Sequence, residues 1–127
     1  MKSVFVALAV ASLCACGGSG GGGDTSTGPI KVNTPPPADG ISVTNDAFSP
    51  GTKTVTAGSE VKWAWNSCTG DAYNGQTCVS HSVTFDDGTT SPLQDQGTYA
   101  RTFTTPGVYS YHCSVHGAAM TGSITVQ

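Results

Sequence analysis

From Gly40 onward, apolar and polar residues alternate in short runs separated by turn residues, and no helix-length amphipathic period appears. Ile41 to Asn45 reads as a first strand, and Lys53 to Ala57 as a second, after Ser49-Pro50-Gly51. Gly58-Ser59 then turns the chain into Glu60 to Asn66. There Val61, Trp63 and Trp65 share one face, while Glu60, Lys62 and Asn66 share the other. Ser82 to Phe85, Thr98 to Thr104, Val108 to Cys113 and Gly122 to Val126 complete the pattern. Seven or eight short strands predict an all-β domain built as a Greek-key sandwich, with a small barrel as the alternative. Within Val108 to Cys113, the alternation sends Tyr109, Tyr111 and Cys113 to the core and Ser110 and His112 outward.

The first 39 residues follow other rules. Residues 1–15 carry Lys2, an apolar core from Val4 to Val10, and small residues at Ala11 and Ala15, the pattern of a secretory signal. Leu13-Cys14-Ala15-Cys16 resembles a bacterial lipobox, which implies lipidation of Cys16; a soluble exported protein is the alternative. Residues 16–39 show no hydrophobic period. The Gly17 to Gly23 run reads as a flexible tether, and Thr34-Pro35-Pro36-Pro37 as a stiffer extended piece. Residues 40–127 are then one domain, large enough for a single small core. From Asp39 on, six Asp and one Glu face Lys53, Lys62 and Arg101, four net negative charges. That balance argues against nucleic-acid binding, which wants a basic stripe.

The chemistry is concentrated near the end, in Tyr111-His112-Cys113-Ser114-Val115-His116-Gly117-Ala118-Ala119-Met120. A thiol, an imidazole and a thioether fall between two strand-like runs, and a second imidazole lies upstream at His81. Two imidazoles, one thiolate and a weak axial thioether are the donors that suit a copper ion cycling between Cu(I) and Cu(II). His81, Cys113, His116 and Met120 are therefore the candidate metal ligands. His112 neighbours Cys113 but points outward, so it is expected to stay free of the metal. With three histidines in the chain, no further copper cluster of the kind found in multicopper oxidases can be assembled, which argues against an enzyme.

These residues resemble the cupredoxins, the plastocyanin-like blue copper proteins. The resemblance runs from about Gly40 to Gln127. It rests on Ala47-Phe48-Ser49-Pro50, on Thr56 to Trp63, on His81 to Gly88 with its His-x-Val-x-Phe pattern, on Pro106 to Cys113, and on Met120 to Val126. It implies a β-sandwich and one type 1 copper per chain. It also implies an electron-transfer function with redox partner proteins docking near His116, at a rim formed by Pro106, Gly107, Gly117, Ala118 and Ala119. His81 is expected to reach the site from the sheet opposite Cys113. Two departures stand out. The segments between Cys113 and His116 and between His116 and Met120 are short, and Ser82 stands where the family often has Asn.

Cys68 and Cys78 flank a polar, turn-rich insertion, and in an oxidising compartment they read as a disulfide. The expectation is thus an exported monomer, periplasmic or at the cell surface, attached to the membrane through an N-terminal lipid. Its function is expected to be electron shuttling. A copper-trafficking protein is the second reading and a structural zinc module the third; methionine is a rare zinc ligand.

Overall fold

The computed structural model describes residues 30–127, so the proposed signal and Cys16 lie outside the described residues. Among these residues there are ten strands and no helix: β1 (Ile41–Val43), β2 (Phe48–Ser49), β3 (Thr52–Val55), β4 (Ser59–Trp65), β5 (Cys68–Asp71), β6 (Gly75–Cys78), β7 (Thr84–Phe85), β8 (Thr98–Phe103), β9 (Gly107–Cys113) and β10 (Gly117–Val126). Eight of them form two four-stranded sheets, ordered β2-β1-β4-β8 and β3-β10-β9-β7, and β5-β6 is a separate hairpin. Pairing is antiparallel except for β1 with β4 and β3 with β10. The all-β sandwich expected from the alternation is therefore present.

The two sheets meet through aromatic side chains. Trp63 on β4 packs edge-on against Tyr111 on β9 at 5.6 Å and Phe85 on β7 at 5.8 Å. Phe48 on β2 reaches Tyr111 at 4.8 Å, and Phe103 on β8 reaches Tyr109 at 4.9 Å. Edge-to-face pairs of this kind fix relative orientation as well as burying area. Arg101 closes one side. Its guanidinium lies 4.2 Å from the Phe85 ring centre and bonds Asp87 Oδ2 at 2.5 Å. That bond holds the Asp87 carboxyl down at about 2.

Three features depart from the sequence reading. The insertion between Cys68 and Cys78 is a regular hairpin, closed at its base by the predicted disulfide between those two residues. Its faces carry Thr, Gly, Gln and Asp, so no apolar alternation announced it. The segment read as a free tether up to residue 39 is bound to the domain at Lys31–Thr34, through Gln76, Cys68 and Trp65. Finally, β7, the strand that follows His81, pairs with β9. The first histidine thus arrives beside the sheet that carries Cys113, not from the opposite one, and sits before its strand rather than within it.

Gly122 on β10 lies directly across from Tyr111 on β9. A Cβ there would sit 2.7 Å from Tyr111 Cε2 and closer still to the hydroxyl end. Tyr111 is wedged among Phe48, Trp63 and Phe85 and cannot swing away. Gly122→Ala is therefore expected to destabilise the domain by about 1–3 kcal/mol, the usual range for overpacking a filled core. Urea unfolding reads this directly, and an unchanged midpoint would refute the packing argument.

Candidate metal centre

The alternation along β9 places Cys113 and Tyr111 in the core and His112 at the outer surface, as its sequence pattern predicts. Cys113 is fully buried and is the free cysteine among the described residues. The chain then turns sharply. Gly117 pairs back onto Cys113 and adopts a left-handed φ of 54°, a conformation open to glycine at little cost. Between Gly117 and Thr121 the β9–β10 register shifts, because Thr121 already pairs with His112. The bulge takes Ala118, Ala119 and Met120 out of the ladder. Met120 turns inward to 1 % exposure, in the same core cluster as Cys113.

His81 comes from elsewhere in the chain and is held by its backbone. Its N–H donates to Gln94 O at 2.9 Å, and its carbonyl accepts from Gln94 N at 3.1 Å. The same carbonyl accepts from the buried Trp65 indole Nε1 at 3.0 Å. The side chain is wholly buried. Ligand atoms of His81, Cys113 and His116 lie within 4.8 Å of one another, with Cys113 Sγ 3.7 Å from His81 Nδ1. The two imidazole rings are 5.0 Å apart, tilted by 35°. Burial, and secondarily the neighbouring His116, lowers the His81 pKa from 6.5, which keeps the ring neutral and its lone pair free. His81 Nε2 and His116 Nδ1 are buried without a hydrogen-bond partner among the described residues. His112 lies outside the group, 3.9 Å from Asp86 Oδ1.

A soft thiol, two imidazoles and a buried thioether fit copper by the chemistry of the donors. Residues 40–127 match the family model of copper binding proteins described as the plastocyanin/azurin family. The chain belongs to that family. Its cofactor is one copper per chain, and the family makes it a copper-binding electron-transfer protein. Among solved structures, a purple cupredoxin from Nitrosopumilus maritimus is 23 % identical with a TM-score of 0.56, over 69 % of this chain and 98 % of that one. An oxidised amicyanin variant is 23 % identical with a TM-score of 0.58, over 71 % and 82 %. Oxidised plastocyanin from Dryopteris crassirhizoma is 22 % identical with a TM-score of 0.52, over 69 % and 99 %. These likenesses show the cupredoxin fold.

In this cupredoxin, Ser82 ties the two loops that carry His81 and Cys113. Its Oγ accepts the Ser114 backbone N–H at 2.9 Å and bonds Ser114 Oγ at 2.8 Å and Thr84 Oγ1 at 3.0 Å. The residue after His81 is thereby tied to the residue after Cys113. One expected feature of the rim is corrected. Gly107 opens β9 and Cys113 ends it, so Pro106 and Gly107 lie about 20 Å away along the strand, at the other end of the sandwich. The exposed residues of the turn that follows Cys113 are Ser114, Val115, Ala118 and Ala119. Sequence reasoning missed Trp65 and Gln94 as supports of His81. Their bonds to it span irregular chain with no periodic signal.

Ser82→Ala leaves the Ser114 N–H without its partner in a part-buried setting. The expected loss is about 0.5–1.5 kcal/mol of stability, with faster copper release to a chelator. Thermal unfolding with and without copper tests this; equal values for variant and parent would show the tie to be idle.

Proposed function

We propose that this cupredoxin is an exported, lipid-anchored electron shuttle whose copper is held by His81, Cys113, His116 and Met120. The observation that carries the reading is the enclosure of a free thiol with two imidazoles at one end of an apolar sandwich, Met120 buried alongside. When bound, copper supplies the one-electron Cu(I)/Cu(II) couple. The chain's own residues then divide the work. Cys113, as thiolate, and His81, kept neutral by burial, are the sealed donors. His116 is only half-buried, on a short turn, and forms the exposed edge of the site. Ser114, Val115, Ala118 and Ala119, on the same turn, carry no charge, which supports brief contacts with redox partner proteins rather than tight association.

The proposed signal of residues 1–15, lipid on Cys16 and glycine-rich stretch after it support a monomer tethered in the periplasm or at the cell surface. In this reading the tether ends at about residue 30, since among the described residues Lys31 bonds to the domain. A carrier rather than an enzyme is favoured because the cluster draws on two of the chain's three histidines. A buried set of donors also argues against a trafficking protein, which needs an open, exchangeable site.

The experiment is a Cu(II) titration of the purified protein followed by ascorbate. An intense visible thiolate–copper band that bleaches and recovers is expected. Cys113→Ser should abolish the band. Met120→Leu should keep it and raise the reduction potential, since loss of a weak axial donor destabilises Cu(II) more than Cu(I). A colourless protein after loading would overturn the assignment in favour of copper delivery or zinc. Anchorage is read separately by labelled palmitate, which is expected to enter the parent chain and not Cys16→Ser; no label in the parent would rule out lipid on Cys16.

A further inference from the structure

Lys31–Thr34 lie upstream of the family-matched residues and form a strap held by two reciprocal amide clasps. The Asn33 side chain donates to Cys68 O at 2.9 Å and accepts from Cys68 N at 2.9 Å. The Gln76 side chain works in the opposite direction, accepting from Lys31 N at 2.8 Å and donating to Lys31 O at 2.6 Å. An amide that engages both backbone groups of one residue fixes its position much as a neighbouring strand would. Both clasps fall on the β5–β6 hairpin, whose base is covalently closed by Cys68–Cys78. Strap and hairpin therefore form one unit.

Two chains of direct contact lead from that unit to His81. In the first, Thr34 N donates to Trp65 O at 2.8 Å, and Gly97 N donates to Thr34 Oγ1 at 3.1 Å. Trp65 N donates to Gly97 O at 3.0 Å, and the Trp65 indole holds His81 O. In the second, Lys31 Nζ is paired with the Asp95 carboxylate. The Asp95 carbonyl accepts from Ser67 Oγ at 3.2 Å and lies 3.8 Å from Cys68 Sγ. Its neighbour Gln94 exchanges both backbone bonds with His81. Trp65, Ser67 and His81 are each fully buried, so displacement of the strap is transmitted through packed groups rather than absorbed by solvent.

We propose that Asn33 and Thr34 are positioning residues for His81, and that strap and disulfide hairpin act as a single clasp holding the first ligand in its metal-binding geometry. This rests on the reading of His81 as a copper ligand. The simpler role, in which the strap only adds stability, leaves copper retention and potential untouched. The positioning role moves both. Outer partners of metal ligands typically govern affinity by about 10- to 100-fold.

The test uses the full chain loaded with copper. Retention is measured by transfer to a competing chelator, and the potential by redox titration of the visible band. Asn33→Ala is expected to weaken copper retention by about 10-fold and to lower the potential, because a looser site lets Cu(II) relax. Asn33→Asp, which keeps the acceptor for Cys68 N, should fall between variant and parent. Replacing Cys68 and Cys78 together by serine should reproduce the Asn33→Ala effect, and combining the two changes should add little, as coupled members of one unit do. Tyr73→Ser, at the hairpin tip where the side chain is 98 % exposed, should change neither reading. If Asn33→Ala fails to fold, Asn33→Asp and Thr34→Val carry the comparison. Variants that melt early yet keep parental retention and potential overturn the proposal. Fully multiplicative effects of the strap and disulfide changes overturn the single clasp. A parent that binds no copper overturns the ligand reading, and the clasp falls with it.

Discussion

Enclosing a thiol and two imidazoles at the dry end of an apolar sandwich is the constraint on which the rest of this structure turns. Each buried polar atom left without a partner costs about 1–3 kcal/mol, and His116 Nδ1 is in that position among the described residues. An ion that accepts a thiolate and neutral imidazoles converts part of that liability into binding, and releases protons in doing so. Burial already moves His81 in the required direction by disfavouring its charged form. The metal site is thus prepared by the same desolvation that makes its donors costly without the ion.

The sandwich supplies the precision. Tyr111 and Cys113 stand on the same face of β9, and Tyr111 is locked between the sheets by Phe48, Trp63 and Phe85. Slipping β9 by one residue would expose both at once and bury His112 and Ser110 in their place. The register that completes the aromatic core therefore also fixes the thiol. Beyond Cys113, the tight turn at Gly117 and the bulge before Thr121 return Met120 to the core cluster within one short loop.

How much of this was legible in the sequence depends on how local the cause is. The alternation in Glu60 to Asn66 and Val108 to Cys113 announced strands and inward faces, because period two is a property of adjacent residues. Cys113, His116 and Met120 were legible as candidate donors because they share one loop, and His81 because the pattern around it resembles the family; the structure clusters His81, Cys113 and His116 and buries Met120. What failed was long-range. The pairing of β7 with β9, which puts the first histidine beside the thiol's own sheet, depends on partners far apart in sequence. So do the bonds of Asn33 to Cys68 and of Thr34 to Trp65. The β5–β6 hairpin is polar on both faces and carries no apolar alternation. Pro106 and Gly107 were assigned to the rim from motif adjacency, although seven residues of extended strand carry them to the far end.

The two histidines of the cluster are held by different means, and the difference bears on function. His81 is fixed through its backbone by Gln94 and Trp65, with Ser82 bonded across to Ser114. His116 sits on a tight turn between the paired Cys113 and Gly117, where its carbonyl accepts from Ala119 N at 3.2 Å. A ligand braced by long-range bonds on several sides resists displacement when the charge at the centre changes. One carried on a short, partly exposed turn is free to meet another surface. A carrier needs both properties at once: little rearrangement inside, and an accessible edge outside. Placing them on separate histidines lets the sealed side be braced, through Gln94 and Trp65, without closing the exposed one.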